Sequence, residues 1–161
     1  LAKVMETNEM SAGYGLVLTE QETELLVSER TQTLRAERRV EFGPGILPRV
    51  IEEFCDSDFI DQNNYVDTLI RLQEIFYLYK NEMHDEISDE ELLHFMKEQF
   101  EEVCFGDLGY LEGTCLRIFA EAVRAGYRGY QASEGYGEYG AFDEVKRWDR
   151  ELYLEALYDL F

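Results

Sequence analysis

The chain lacks the features that mark membrane proteins and disulfide-linked secreted proteins. No apolar run approaches the roughly 18 residues of a membrane-spanning helix, and residues 1–10 are polar and mixed in charge, unlike a signal peptide. The three cysteines, Cys55, Cys104 and Cys115, form no Cys-x-x-Cys motif, and two of them lie among apolar helical residues. We therefore expect a cytoplasmic protein that binds no membrane and keeps its thiols reduced and partly buried.

Basic residues are also scarce. Fifteen Lys and Arg residues face thirty-five Asp and Glu residues, which gives a net charge of −20. Such a chain repels phosphate backbones, so we expect no direct binding of nucleic acid. Residues 46–105 hold sixteen acids and four bases, and thus more than half of the net charge. This acidic middle third is either a solvated surface that keeps the protein soluble, or a face for a basic partner or for cations.

Groups that usually carry catalysis are few. The two histidines both lie in the acidic middle third, and no histidine or cysteine has a partner at a recognisable catalytic spacing. Residues 135–140 match Gly-x-Gly-x-x-Gly, but no strand leads into them, and Glu134 and Glu138 would repel a pyrophosphate. We predict no catalytic residue and no cofactor, and an enzyme is disfavoured.

The strongest positive signal is a helical hairpin over residues 64–80 and 88–103. Large apolar residues repeat at alternating spacings of four and three in its first half, which places them on one helix face. Ser88 and Glu91 then form a Ser-x-x-Glu capping box that starts a second apolar stripe. The two stripes consist of Tyr65, Leu69, Leu72, Phe76 and Tyr79, and of Leu92, Phe95, Met96, Phe100 and Val103.

Around this hairpin we predict a single all-α domain, residues 1–161, of about five helices. At most one short extended pair is expected, near 14–18 and 40–42. Thr19 and Glu22 cap a helix that continues to about Arg39 and ends with four arginines: Arg30, Arg35, Arg38 and Arg39. Basic residues suit a helix C-terminus through the helix dipole, and the alternative interpretation is a patch for an anion or a partner.

The last third of the chain changes character. Residues 126–141 form a Gly/Tyr-rich loop, and residues 142–160 show helical spacing of apolar residues. We predict that this final amphipathic helix docks on its own domain or on a neighbouring chain. The candidate interaction residues are Trp148, Phe142, Leu152, Tyr136 and Tyr139.

Several short motifs together resemble an uncharacterised family of bacterial proteins, labelled only as a domain of unknown function. They are Phe54–Ser57, Asn64–Tyr65, Leu72–Tyr77, Lys80–Glu82, Ser88–Leu92 and Phe95–Lys97. The resemblance covers roughly Ser11 to Ala125. It implies a bacterial, cytoplasmic protein, and it implies no activity and no catalytic residues.

Three functions follow from these patterns. The first is a non-enzymatic acidic helical interaction module, as a homo-oligomer or as part of a hetero-complex. The second is a divalent-cation site on the hairpin, with Glu82, Asp85, Glu86 and Glu91 as candidate ligands. An EF-hand alignment there puts Lys80 at the first liganding position, where a carboxylate is needed, so we expect no metal. The third is a DNA mimic, whose carboxylates would imitate phosphates.

Overall fold

A computed structural model describes residues 2–127 of the chain. The described residues are helical and contain no strand, which confirms the predicted all-α class. The helices are α1 (Ala2–Glu6), α2 (Asn8–Ser11), α3 (Glu20–Ala36), α4 (Leu47–Phe54), α5 (Tyr65–Glu82), α6 (Asp89–Glu102), α7 (Leu108–Tyr110) and α8 (Leu116–Arg124). Ala12–Tyr14 is a 3-10 helix, and Leu111–Cys115 is a π-helix between α7 and α8. Within residues 2–127, no helix combines the length and the apolarity that a membrane crossing requires.

The chain divides into two compact units, Leu1–Leu78 and the part that begins at Tyr79. The boundary lies inside α5. The predicted single domain of residues 1–161 extends beyond the described residues and stays a prediction.

In the first unit, α1 contacts α3 and α4, and α2 contacts α4. Apolar side chains from these helices and from α5 are buried, among them Leu26, Leu47, Ile51, Phe54 and Leu72. The predicted cap of α3 is present, because Thr19 Oγ1 accepts a hydrogen bond from the Glu22 amide at 3.1 Å and Glu22 Oε1 accepts one from the Thr19 amide at 2.9 Å. The first unit is therefore a helical layer with an aliphatic and aromatic interior.

The segment predicted as extended near 14–18 does not form a strand. Two amide side chains bond to its backbone: Gln62 donates to and accepts from Val17, both at 2.9 Å, and Asn8 does the same for Leu18, at 2.9 and 2.8 Å. The Leu16 carbonyl accepts from the Ser11 hydroxyl at 2.7 Å. Side chains thus satisfy the backbone groups that a neighbouring strand would otherwise pair with.

The second unit contains the end of α5, α6 and the helical stretch from α7 to α8. Both predicted hairpin helices are present, as α5 and α6, and Ser88 Oγ accepts from the Glu91 amide at 3.2 Å, as a cap requires. The Phe95 and Phe119 rings stack with centroids 3.8 Å apart, and the Tyr127 ring meets Phe119 edge-on at 5.8 Å. These aromatic contacts join α6 to α8, and α8 to Tyr127, which lies three residues beyond the end of that helix.

Two buried polar contacts involve the π-helix Leu111–Cys115: one with a tyrosine hydroxyl and one between two thiols. The Tyr79 hydroxyl donates a hydrogen bond to the Glu112 carbonyl, and burial raises the pKa of Tyr79. The thiols of Cys104 and Cys115 are buried with their sulfur atoms 3.6 Å apart, and burial raises the pKa of Cys104 to about 12. Burial also raises the pKa of Cys115, so it favours the protonated thiol at both cysteines.

The C-terminus of α3 ends in a Schellman motif that carries an arginine where glycine is usual. The Arg39 amide donates to the Leu34 carbonyl at 2.8 Å and the Arg38 amide to the Arg35 carbonyl at 3.2 Å. This motif requires a left-handed residue, and Arg38 has φ of 58°. An L-residue with a side chain is strained in that conformation by about 1 kcal/mol.

We predict opposite effects for two neighbouring substitutions that remove the same charge. Arg38→Gly should raise the free energy of unfolding by about 1 kcal/mol, because glycine adopts the left-handed conformation without strain. Arg35→Gly should lower it by roughly 0.5–1 kcal/mol, because Arg35 lies inside the last helical turn. Denaturant unfolding of both variants measures the difference, and a lower stability for Arg38→Gly than for the unmodified chain would contradict the prediction.

Candidate functional site

The four arginines predicted at the end of α3 line one cavity. We call it the arginine cavity; its volume is about 520 Å³, and its lining residues are Arg30, Thr31, Leu34, Arg35, Arg38, Arg39, Val40 and Glu41. Four of the fifteen basic residues of the chain therefore meet at one place on an otherwise acidic protein. Arg30 and Arg35 lie on the last turns of α3, and the left-handed residue Arg38 turns the chain after the helix, so the four arginines line the same cavity.

Arg30 is the buried member of this group, with 7% of its surface exposed. A Cβ atom placed on Gly45 would lie 2.5 Å from both Nε and Nη2 of Arg30, so the Gly45 backbone sits directly against the guanidinium. These two nitrogens have no hydrogen-bond partner within residues 2–127. The guanidinium is thus fixed by close packing on a residue that has no side chain.

A tyrosine from α5 completes the buried polar contacts of the cavity. The Tyr77 hydroxyl donates to Glu41 Oε1 at 3.1 Å. Burial raises the pKa of Tyr77, the contact with Glu41 raises it further, and the neighbouring Arg30 opposes both. Tyr77 is therefore a neutral donor that holds Glu41, one wall of the cavity, close to Arg30.

The rim of the cavity combines charge with apolar surface. Arg35 and Arg38 are exposed, and so are Val40 and Phe42, which are 81% and 90% exposed. Val40 and Phe42 belong to the second segment predicted as extended, near 40–42, and this segment also has no regular secondary structure. Val40 lines the cavity, and Phe42 follows it two residues later, so their exposed apolar side chains belong to the chain segment that directly follows the arginines.

Two of the four candidate metal ligands on the hairpin loop, Asp85 and Glu82, lie near positively charged side chains. Lys80, which is 5% exposed, donates to the Ile87 carbonyl at 2.5 Å and lies 3.0 Å from Asp89 and 3.8 Å from Asp85. In the same way, Arg124 lies 3.5 Å from the Glu82 carboxylate. Glu91 lies in the first turn of α6, and Glu86 lies in the turn before it.

The Lys80 ammonium contacts the Ile87 carbonyl and the carboxylates of Asp85 and Asp89, which lie at the eighth, sixth and tenth positions of the EF-hand alignment and not at its liganding positions. The residue that the alignment placed at the first liganding position thus supplies a tethered positive charge to the loop. No group of three or more His, Cys, Asp or Glu side chains in the described part of the chain could hold a metal ion. The side-chain arrangement in residues 2–127 gives the metal hypothesis no support.

Sequence reasoning missed the residues that hold the arginine cavity in place. The sequence predicts an extended pair that includes residues 40–42, and it assigns Gly45 and Tyr77 no role at the basic end of α3. The adjacent Gly43-Pro44-Gly45 turn and the apolar residues before it were the only local signals. The predicted interaction residues Trp148, Phe142, Leu152, Tyr136 and Tyr139 lie outside the described residues, as do the final helix and all of the Gly/Tyr loop except Gly126 and Tyr127.

Comparison with known proteins identifies the family. Residues 3–129 match a model described as a family of unknown function (DUF6323), so the chain belongs to this family. The predicted resemblance is confirmed, and the matched region extends to residue 3 at one end and residue 129 at the other. No curated protein and no solved structure matches the chain.

The contact between Arg30 and Gly45 predicts a difference between two glycines of one turn. Gly43 and Gly45 both have positive φ, 70° and 62°, but only Gly45 is in contact with other atoms where a Cβ would lie. Gly43→Ala should lower the free energy of unfolding by about 1 kcal/mol through backbone strain alone. Gly45→Ala should lower it by roughly 2–4 kcal/mol, because Arg30 must also move out of its buried position. Equal losses in denaturant unfolding would show that the Arg30 contact contributes nothing.

The burial of Lys80 predicts a second stability effect. Lys80→Met keeps the apolar stem but removes the donor to the Ile87 carbonyl from a buried position, so the free energy of unfolding should fall by roughly 2–3 kcal/mol. Arg117→Met is the matched control, because Arg117 forms an exposed ion pair with Glu121 at 3.1 Å and should contribute about 0.5 kcal/mol. Thermal unfolding monitored by circular dichroism compares the two variants, and similar losses would refute a structural role for Lys80.

Proposed function

We propose that this member of a family of unknown function is a non-enzymatic, cytoplasmic, helical interaction module that binds a protein partner. The observation that supports the proposal is the arginine cavity with the exposed Val40 and Phe42 beside it. Val40 and Phe42 are the two most exposed large apolar residues in residues 2–127, and they lie only two positions apart in the chain. Arginine and aromatic residues are also the types that dominate the binding energy of protein interfaces.

The charge of the chain supports a protein partner. With a net charge of −20, the protein as a whole repels nucleic acids and anionic membranes, so a local basic cavity suits a compact contact. The interaction surface expected on Trp148 and its neighbours is a separate proposal for the same function. A bacterial origin is likewise an expectation from the family resemblance. Divalent-cation binding and DNA mimicry stay predictions, and no specific contact favours either.

The proposal predicts that removing the apolar rim abolishes association. The full chain should self-associate in light scattering, or should retain a protein when immobilised and exposed to lysate of its source cell. The double variant Val40→Ser with Phe42→Ser should reduce this at least tenfold, because the apolar contact is lost.

Phe105→Ser is the matched control, because Phe105 is also an exposed phenylalanine, at 70%, but lies in the second unit, far along the chain from the cavity. It should leave association unchanged. A chain that is monomeric and retains no protein would overturn the interaction function. Association that survives the double variant would overturn the assignment of the docking surface to Val40 and Phe42.

A further inference from the structure

We propose that the arginine cavity recognises a short acidic segment of a protein partner, whose carboxylates bind Arg35 and Arg38 and whose apolar side chain covers Val40 and Phe42. This inference rests on the proposed interaction function and specifies the chemistry of the partner. It combines two observations on neighbouring residues: a cavity lined by four arginines and an apolar rim.

The charges at the cavity set the number of carboxylates that it can neutralise. Residues 30–41 carry four arginines against Glu37 and Glu41, so the local excess is two positive charges. The Arg30 guanidinium is buried against Gly45, and the exposed members are Arg35 and Arg38. Each exposed guanidinium can bind one carboxylate through two parallel hydrogen bonds. Two acidic side chains, or one and a chain terminus, therefore match the site.

The size of the basic region favours a short segment over a long polyanion. Charges interact across about 8–10 Å at physiological salt, and beyond the cavity a nucleic acid would meet a protein of net charge −20. A peptide segment whose acidic residues all lie within the cavity avoids this repulsion. An anionic membrane surface would meet the same repulsion over a wider area.

The apolar rim distinguishes a peptide from a small free anion. Val40 and Phe42 are among the most exposed apolar residues in residues 2–127, and inorganic phosphate or acetate would leave both in water. An apolar side chain that follows the acids in the partner segment removes this surface from water and adds affinity that does not depend on salt. The site therefore selects acids and an apolar residue together.

Fluorescence anisotropy of labelled ten-residue peptides with the full chain tests this inference. The first peptide alternates Asp or Glu with Leu and Phe, the second replaces its apolar residues by Ser, and the third replaces its acids by Gln. The first peptide should bind at least tenfold more tightly than either of the others. Its affinity should fall as salt rises from 50 to 300 mM, because the charge contacts are screened.

Matched variants locate the binding. Arg35→Gln with Arg38→Gln should weaken the first peptide at least tenfold, and Val40→Ser with Phe42→Ser should reduce its affinity to that of the second peptide. Arg117→Gln, an exposed arginine of the second unit, should change nothing. Circular dichroism confirms that each variant is folded.

Several results would overturn the inference. They are no binding of the first peptide, equal binding to the double arginine variant, equal binding of the second peptide, or tighter binding of a single-stranded oligonucleotide. Inorganic phosphate that competes at micromolar concentration would indicate a simple anion site instead. If the peptides do not bind but a protein is still retained from lysate, the acidic segment is refuted and the proposed interaction function stands. If the peptides do not bind and the chain neither self-associates nor retains a protein, the acidic segment and the interaction function are both refuted.

Discussion

The burial of the Arg30 charge determines how the first unit turns from α3 to α4. A guanidinium removed from water is unfavourable unless polar groups surround it, and here Tyr77 and Glu41 lie beside it on one side while the Gly45 backbone packs on another. Gly45 has no side chain to clash with the guanidinium, and it adopts a positive φ of 62° in the turn that leads into α4. The arginine cavity exists because this buried contact anchors the residues that surround it.

The second unit also buries a positive charge, that of Lys80, but surrounds it with carbonyl and carboxylate oxygens. Lys80 extends from the last turn of α5 to the Ile87 carbonyl and to Asp85 and Asp89, so one side chain closes the loop before α6. His84 and Asp85 both have positive φ, 54° and 56°, in this loop. In calcium-binding loops a metal ion gathers carbonyl and carboxylate oxygens, and in this chain a tethered ammonium does so. The contacts of Lys80 therefore give this loop a structural role.

Periodicity and caps predicted the helices because these signals are local. The stripe from Tyr65 to Tyr79 is buried as expected, and the caps at Thr19 and Ser88 are formed. The cavity was visible only as a basic helix end, because its anchors are distant in sequence: Tyr77 and Glu41 are separated by 36 residues. For the same reason, the amide of Gln62 that pairs with Val17 had no local signal, and the expected extended segment became a loop held by side chains. Long-range polar pairing thus accounts for what the sequence did not reveal.

The strain at Arg38 links the fold to the proposed site. A helix C-terminus in a Schellman motif is most stable with glycine at the left-handed position, and glycine occupies that conformation elsewhere in the chain, at Gly15 and Gly126. Arginine at this position lowers stability by about 1 kcal/mol, but it places an exposed guanidinium on the lining of the cavity. His84 ends α5 in the same left-handed conformation and with the same pair of backbone hydrogen bonds. The Arg38 backbone is therefore explained by helix termination, and its side chain in addition supplies an exposed guanidinium to the lining of the cavity.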